Sequence, residues 1–485
     1  MSTSTPSPRS QPSPFRHPPR TARRSYRPAL DPRTTKPKGS STAWTRIRHV
    51  IWSWWVWAGL AVYLMNIGAW WLAIAAAAVA GICSISTSVE IPPQWGLDHS
   101  LEVGSPEFLD TMAGAAGVPF APGNTLEILN NGDRFFPSML TAIREAARSI
   151  TMEAYIYWAG EIGVTFARAL AERAANGVRV KILLDAVGSS SVGEEILKIL
   201  RDGGCHVAWY NPLRWNRLRH LNNRTHRKSL IIDGRIGFTG GAGIADHWAG
   251  DAQDEKHWRD LQIRVEGPAV RPLQTGFAQN WLEATGELVT GPDFYPPIEA
   301  VGPVALQTVM SSPDTGASTV RVIHCLAIAA AHLSIEIANP YFIPDHLAID
   351  LFREAVKRGV RVRIMVAGRR NDNRVARLNS IRLYGALLEA GVELLEYNRT
   401  MMHHKTMVVD GLWATVGTTN FDSRSFAHNE ESNVCVCDAA FSRQLNELFA
   451  RDAELCEPVS LEAWQSRPLV DKTLQALASI FQDQV

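Results

Sequence analysis

The chain has 485 residues, 46% of them hydrophobic and 20% charged, which excludes wholesale disorder, a collagen-like repeat and a disulfide scaffold and fits a globular protein of more than one domain. Lysine and arginine (49) nearly balance aspartate and glutamate (48), so bulk charge does not point to a nucleic-acid partner. The six cysteines (Cys83, Cys205, Cys325, Cys435, Cys437, Cys456) form no CxxC pair and stand near no histidine at zinc-finger spacing, which points to a reducing compartment and away from a structural zinc site.

Residues 1–43 read as a disordered basic tail, rich in Pro, Ser, Thr and Arg and too poor in apolar side chains to offset the entropy of ordering. Residues 1–49 hold eleven Lys or Arg and one acid, Asp31. Residues 44–88 read as a membrane anchor, because no formal charge occurs between His49 and Glu90 and Ile51 to Cys83 is almost continuously apolar. One helix through that stretch would be roughly 50 Å long against a hydrocarbon core of about 30 Å. A hairpin turning at Asn66-Ile67-Gly68 resolves the excess and places Trp52, Trp54, Trp55 and Trp57 at one interface and Trp70 and Trp71 at the other. The alternative is one tilted span preceded by an interfacial helix. With the basic tail held in the cytoplasm, the hairpin returns the rest of the chain there, whereas a single span exports it. A linker, 89–122, follows.

Beyond the linker the same order of patterns occurs twice, with a period of about 180 residues. In the first half a helix over Phe136 to Arg148 leads to a strand, Ser149 to Tyr157; a second helix ends at Gly177 before the strand Val178 to Asp185. In the second half a helix over Arg321 to His332 leads to Ser334 to Phe342, and another ends at Gly359 before Val360 to Val366. Both halves then run a helix into Gly and a strand ending Tyr-Asn, at Tyr210-Asn211 and Tyr397-Asn398. The expected fold is α/β: two duplicated domains, 123–298 and 299–485, each around a central mixed sheet.

Each half carries HxKxxxxD, as His226-x-Lys228 with Asp233 and as His403-x-Lys405 with Asp410. Residues two apart in a strand share a face, so each His and Lys can act on one bound group while the apolar run behind them ties the strand to the core. Two such matches at equivalent places in a repeat are not a chance pattern.

This pair of motifs resembles the phospholipase D superfamily and, within it, the bacterial cardiolipin synthases. Gly240-Gly241 follows the first motif and Gly417-Thr418-Thr419-Asn420-Phe421-Asp422-Ser423-Arg424-Ser425-Phe426 the second. Gly123-Asn124, Trp258-Arg259-Asp260 and Pro340-Tyr341-Phe342-Ile343-Pro344 add to the resemblance, which covers roughly residues 120–465. Where relatives carry Asn after the double glycine, this chain has Ala242-Gly243.

The resemblance implies two phospholipase D-like domains and a transphosphatidylase that moves a phosphatidyl group between two phosphatidylglycerol molecules through a phosphohistidine, releasing glycerol. Water as acceptor would make the same site a phospholipase D hydrolase, and a nuclease is the more distant alternative. Family analogy makes His226 the nucleophile and His403 the acid/base, with Lys228 and Lys405 holding the phosphoryl oxygens; the residues alone leave the order of the histidines open. Asp260 and Glu431 occupy the places of histidine-orienting acids, and Asn420 that of a hydrogen-bond donor to the phosphate. Asp233 and Asp410 complete the catalytic motif by analogy, although as ends of buried strands they also suit a fold-supporting role. His404 points to the opposite face.

No HExxH, EF-hand or dinucleotide fingerprint occurs, so neither metal nor cofactor is expected. Two basic runs, Arg214, Arg217, Arg219, Arg224 and Arg227, and Arg369, Arg370, Arg374, Arg377 and Arg382, suit an anionic-substrate channel, contact with lipid headgroups or solvated faces. The expected partners are anionic phospholipids and the membrane, not nucleic acid, with the protein at the bacterial cell membrane and its catalytic domains in the cytoplasm.

Overall fold

The computed structural model describes residues 53–85, 97, 100–212, 222–313 and 319–484. The expected basic tail, the start of the expected anchor, most of the first part of the linker, and Arg214, Arg217 and Arg219 lie outside the described residues.

The apolar stretch forms two helices, Trp54–Asn66 and Trp70–Ile85, packed side by side across a turn at Ile67, Gly68 and Ala69. Gly68 has a φ of 78°, a conformation open to glycine at no steric cost, which is why the break falls there. The helices have 13 and 16 residues, and no helix among the described residues is long and apolar enough to cross a membrane. Their large side chains face outward; Trp71 is 85% exposed.

The segment read as a linker is partly built into the body. Its helix Pro106–Ala116 starts with Pro at the first turn, is capped by Ser105 and buries Phe108 and Met112 in the core of the second half.

The first half contributes strands β1 (Ala121–Asn130), β2 (Ser149–Ala154), β3 (Arg179–Asp185), β4 (His206–Tyr210), β5 (Arg224–Thr225), β6 (Ser229–Ile232), β7 (Ile236–Gly240) and β8 (Leu261–Glu266). The second contributes β9 (Val304–Ser311), β10 (Ser334–Ala338), β11 (Arg361–Ala367), β12 (Glu393–Tyr397), β13 (Lys405–Val409), β14 (Trp413–Gly417), β15 (Asn429–Cys437) and β16 (Cys456–Val459). The order β4-β3-β2-β6-β7-β8-β1 in one half is repeated as β12-β11-β10-β13-β14-β15-β9 in the other, with β16 added at the far edge. In each half three strands run parallel through helical crossovers and the rest are antiparallel, so the sheet is mixed, as expected.

The expectation of two separate central sheets needs correction. β1 pairs with β9, and the two halves form one continuous sheet of 16 strands. Joining the inner edges satisfies two rows of backbone groups that would otherwise be exposed. A shared core cluster, with Val265, Val270, Phe277, Leu306, Val416 and Val434, lies across the join. Helices Gly132–Glu145 and Glu161–Ala175 cover one face of the first half and Val270–Thr285 packs on the other, which leaves the strand ends near the join to carry the polar motifs.

Candidate active site

Both motif histidines sit where the halves touch. The His226 amide donates to the Glu430 carbonyl at 2.9 Å, continuing the parallel pairing of β5 with β15, and this places the next side chain, Glu431, against the imidazole. Nδ1 of His226 lies 3.0 Å from each oxygen of that carboxylate. The second motif mirrors it: the His403 amide donates to the Arg259 carbonyl at 2.8 Å, and Nδ1 of His403 lies 3.0 Å from Oδ2 of the following residue, Asp260. Each histidine therefore takes its acid from the other half. All four groups are buried, and with Nδ1 engaged each ring is left with Nε2 as its second functional nitrogen.

The acids are themselves held. Asp260 accepts from the Trp248 indole at 2.8 Å and from the Leu261 amide at 2.8 Å. Glu431 accepts from the Thr418 hydroxyl at 2.5 Å and from the Asn429 amide group at 3.3 Å. Burial raises Asp260, but the hydrogen bond and charge of His403, with Lys405 behind them, outweigh it and hold this carboxyl below its ordinary range. Glu431 shifts the opposite way: burial raises it, only partly countered by Lys228 and Thr418. The two histidines thus have unlike partners, a firmly ionised one at His403 and a more readily protonated one at His226.

Lys228 and Lys405 are buried as well, and each donates to the carbonyl of the histidine two residues before it, Lys228 at 2.9 Å. Lys405 Nζ also lies 3.0 Å from His403 Nε2, and Lys228 Nζ stands 5.5 Å from the centre of the Tyr155 ring. Burial lowers Lys405 to about 8 against the pull of Asp260 and Glu431. It lowers Lys228 too, with the charge of Lys405 as the next cause, so the two ammonium groups act on each other across the halves. Burial, then Lys228 and Lys405, push His226 well below its ordinary value; burial, then Lys405, bring His403 to about 4. At this centre cations are crowded and the imidazoles are held neutral, an arrangement that favours binding of an anion.

Aromatic rings wall the site. Tyr155 stands edge-on to His226 at 5.2 Å between centroids, and Trp248, Trp258 and Tyr341 surround His403 at 5.6, 5.5 and 6.4 Å. Asn420 is buried with Oδ1 lacking a hydrogen-bond partner among the described residues. Its equivalent, Gly243, has no room for a side chain: a Cβ there would stand 2.8 Å from the Ile156 carbonyl oxygen and 2.9 Å from the Trp248 ring. Trp248 thus takes the space of the missing asparagine while supplying a donor to Asp260. Sequence reasoning overlooked Trp248 because it lies outside any motif; its place eight residues past Gly240 was the only signal.

Asp233 and Asp410, grouped with the catalytic residues by analogy, stand apart from the histidines. Each follows the motif strand at its other end, beyond a run of four or five residues, roughly 13–16 Å of strand. Asp233 accepts from the amides of Ala147, Arg148 and Ser149 at 2.8–2.9 Å, and Asp410 from those of His332, Leu333 and Ser334, so each secures the start of the neighbouring strand, β2 or β10. Their φ of 51° and 54° lies in the left-handed region that Asp tolerates, and the chain reverses there.

Among the described residues most arginines of the two basic runs are paired or hydrogen-bonded within the protein. Arg227 is fully buried, paired with Glu430 at 2.5 Å and donating to the Glu431, Gly276 and Ser311 carbonyls. In the second run Arg369 pairs with Glu457, Arg370 with Glu255 and Arg377 with Glu396. Arg382 donates to Gln482, and Arg374 is exposed. Arg224 is buried beside Asp185. His404 lies away from the centre, 3.6 Å from Asp452. Among the described residues no group of three or more His, Cys, Asp or Glu is spaced to hold a metal ion.

The family described as cardiolipin synthase, phospholipase D-like domain, matches residues 139–281 and 325–453, one segment around each motif. A cardiolipin synthase of Geobacillus sp. (strain WCH70) is 33% identical over 365 residues, 75% of this chain and 72% of that protein. The major cardiolipin synthase of Bacillus subtilis (strain 168) is 35% identical over 354 residues, 72% of this chain and 73% of that protein. In fold, the chain resembles the crystal structure of phosphatidylserine synthase from Haemophilus influenzae Rd KW20, with a TM-score of 0.61 at 14% identity over 78% of this chain and 98% of that one. With both matched segments centred on the paired HxK sites, the chain belongs to the cardiolipin synthase family of phospholipase D-like proteins.

Proposed function

We propose that this protein is a cardiolipin synthase acting as a transphosphatidylase on phosphatidylglycerol through a phosphohistidine. The observation that carries the reading is the crossed pairing His226–Glu431 and His403–Asp260, which supports a single centre with two imidazoles and two lysines. His226, neutral and with Nδ1 engaged, attacks phosphorus through Nε2. His403 takes up a proton when the anionic phosphodiester enters, is then held as imidazolium by the ionised Asp260, and passes that proton to the departing glycerol oxygen, becoming neutral again. Lys228 and Lys405 balance the phosphoryl oxygens, and Asn420 adds a hydrogen bond. His403 then takes the proton of the second phosphatidylglycerol hydroxyl, whose oxygen displaces His226 and gives cardiolipin. Asp260 and Glu431 are positioning residues in this scheme. The unlike shifts of the two acids favour this order of histidines.

The helical pair Trp54–Asn66 and Trp70–Ile85 we assign to a membrane-embedded hairpin, supported by its uncharged sequence and outward-facing Trp70 and Trp71. Helices of about 20 and 24 Å are short of a 30 Å core, so the hairpin enters the bilayer without each helix spanning it fully, and the catalytic halves remain on the cytoplasmic side. The two halves, 123–298 and 299–485, are read as duplicated domains. Tethering keeps the site beside its lipid substrates.

Purified protein in phosphatidylglycerol vesicles is expected to release cardiolipin and glycerol; phosphatidic acid as the main product would make it a hydrolase instead. Trapping the acid-labile adduct should place the phosphatidyl group on His226, and His226→Ala should form none.

A further inference from the structure

Arg224 stands two residues before His226 and is 2% exposed. The amides of both residues donate along β15 and the residue before it, to the carbonyls of His428 at 3.4 Å and Glu430 at 2.9 Å, so the backbone is extended through His226 and side chains 224 and 226 leave on one side. Thr225 between them faces the other way and bonds to Glu153. Nε and both terminal nitrogens of Arg224 are buried without a hydrogen-bond partner among the described residues. Asp185 is 3.5 Å away, and its carboxylate is already taken up by the amides of Val187, Gly188 and Thr225.

A guanidinium has five donors in a planar fork suited to phosphate, and a native fold rarely leaves them all unused. A second arginine comes from the other half: Arg424 donates to the side chain of Asn222, two residues before Arg224, at 2.9 Å, and its charge bears on His226 and Tyr155. The Gln484 carbonyl also holds Arg424, at 3.1 Å.

Transfer to phosphatidylglycerol brings two phosphodiesters into one site. The acceptor carries its own, a three-carbon glycerol away from the hydroxyl that attacks, and the lysines of the HxK pairs are occupied by the phosphoryl group in transfer. Two residues along a strand span about 6.6 Å, comparable with a three-carbon bridge.

We propose that Arg224, with Arg424 from the other half, forms the subsite for the phosphodiester of the acceptor lipid, and so selects a phosphatidyl-bearing alcohol over water or a neutral alcohol. This rests on the transphosphatidylase reading above. In the second step the acceptor hydroxyl gives its proton to His403, its oxygen bonds to phosphorus and the bond from phosphorus to His226 breaks; the phosphodiester on Arg224 exchanges no bond.

The test is a partition experiment with the full chain in phosphatidylglycerol vesicles containing ethanol, reading cardiolipin against phosphatidylethanol. Arg224→Gln is expected to lower that ratio about tenfold or more, with partial recovery in Arg224→Lys. Both products falling together at an unchanged ratio would overturn the proposal. Should Arg224→Gln not fold, Arg424→Gln carries the same expectation at about threefold, and an unchanged ratio there overturns it equally. Inorganic phosphate separates the two sources of the anion: a lipid phosphodiester site is expected to lose the ratio only by competition, with recovery as the phosphatidylglycerol content is raised, whereas a loss that added phosphatidylglycerol does not reverse overturns the lipid assignment in favour of free phosphate. A wild-type protein that makes phosphatidylethanol but never cardiolipin would remove the synthase reading itself, and the subsite with it.

Discussion

The imidazole of His226, in the first half of the chain, is held by the carboxylate of Glu431 from the second, with Nδ1 3.0 Å from both oxygens. The reverse pair, His403 with Asp260, makes the arrangement reciprocal. Neither motif histidine takes its acid from its own half, so the centre exists only when β5 lies along β15 and Arg259 lies beside Met402.

Removing either acid's charge should therefore disable a histidine in the other half. Asp260→Asn and Glu431→Gln are each expected to lower turnover about 10²- to 10⁴-fold with the fold retained. They should differ with leaving group. A phosphatidyl donor carrying nitrophenol needs little proton help, and it should recover much of the Asp260→Asn loss and little of the Glu431→Gln loss. Equal recovery in both would reverse or abolish the assigned roles.

The lowered lysines predict a basic limb in the pH profile. An anion needs the ammonium form, and Lys405, brought to about 8 chiefly by burial, loses it as pH rises through that value, with Lys228 shifted in the same direction. For the free enzyme kcat/KM should fall as pH rises through about 7, where Lys228 loses its charge, and more steeply above about 8, where Lys405 follows. The limb in kcat should lie higher, because bound phosphate favours the charged lysine. A kcat/KM that stays flat to the ordinary lysine range would contradict the desolvated pair.

Asp233 and Asp410 should act on stability and not on chemistry. Each accepts three backbone amides at a strand start, so Asp233→Ala or Asp410→Ala is expected to cost about 1–3 kcal/mol in denaturant unfolding. The Asn variants tolerate the left-handed backbone and should cost less. At temperatures where the variants stay folded, the phosphohistidine should still form; a folded Asp233→Ala that forms none would return this residue to the catalytic set.

The asymmetry between Asn420 and Gly243 is steric, and it too can be tested. Gly243→Asn would drive a Cβ to 2.8 Å from the Ile156 oxygen and 2.9 Å from Trp248. A loss of about 1–3 kcal/mol in stability with no gain in activity is expected. Asn420→Ala should instead reduce turnover by about 10²-fold at little cost in stability. A Gly243→Asn protein as stable as the parent would refute the packing argument.

The strands, the helices and both HxK pairs were legible in the amino-acid sequence because each is a matter of local spacing: alternation along β6 and β13, helical periods between them, and one pattern met twice. Even the break at Gly68 could be read in this way, from a small flexible residue inside an apolar run. The neighbours of these segments could not. Arg227 lies between His226 and Lys228 and by spacing suited a substrate channel or a solvated face equally, yet the strand's alternation turns it onto Glu430. Which acid serves which histidine, and that β1 joins β9 into one sheet, were decided only by the folded chain. His226 and Glu431 are 205 residues apart, and they meet because two half-sheets close along their inner edges. That closure is driven by apolar burial and backbone pairing spread over many residues, which leaves no mark at either member of the pair.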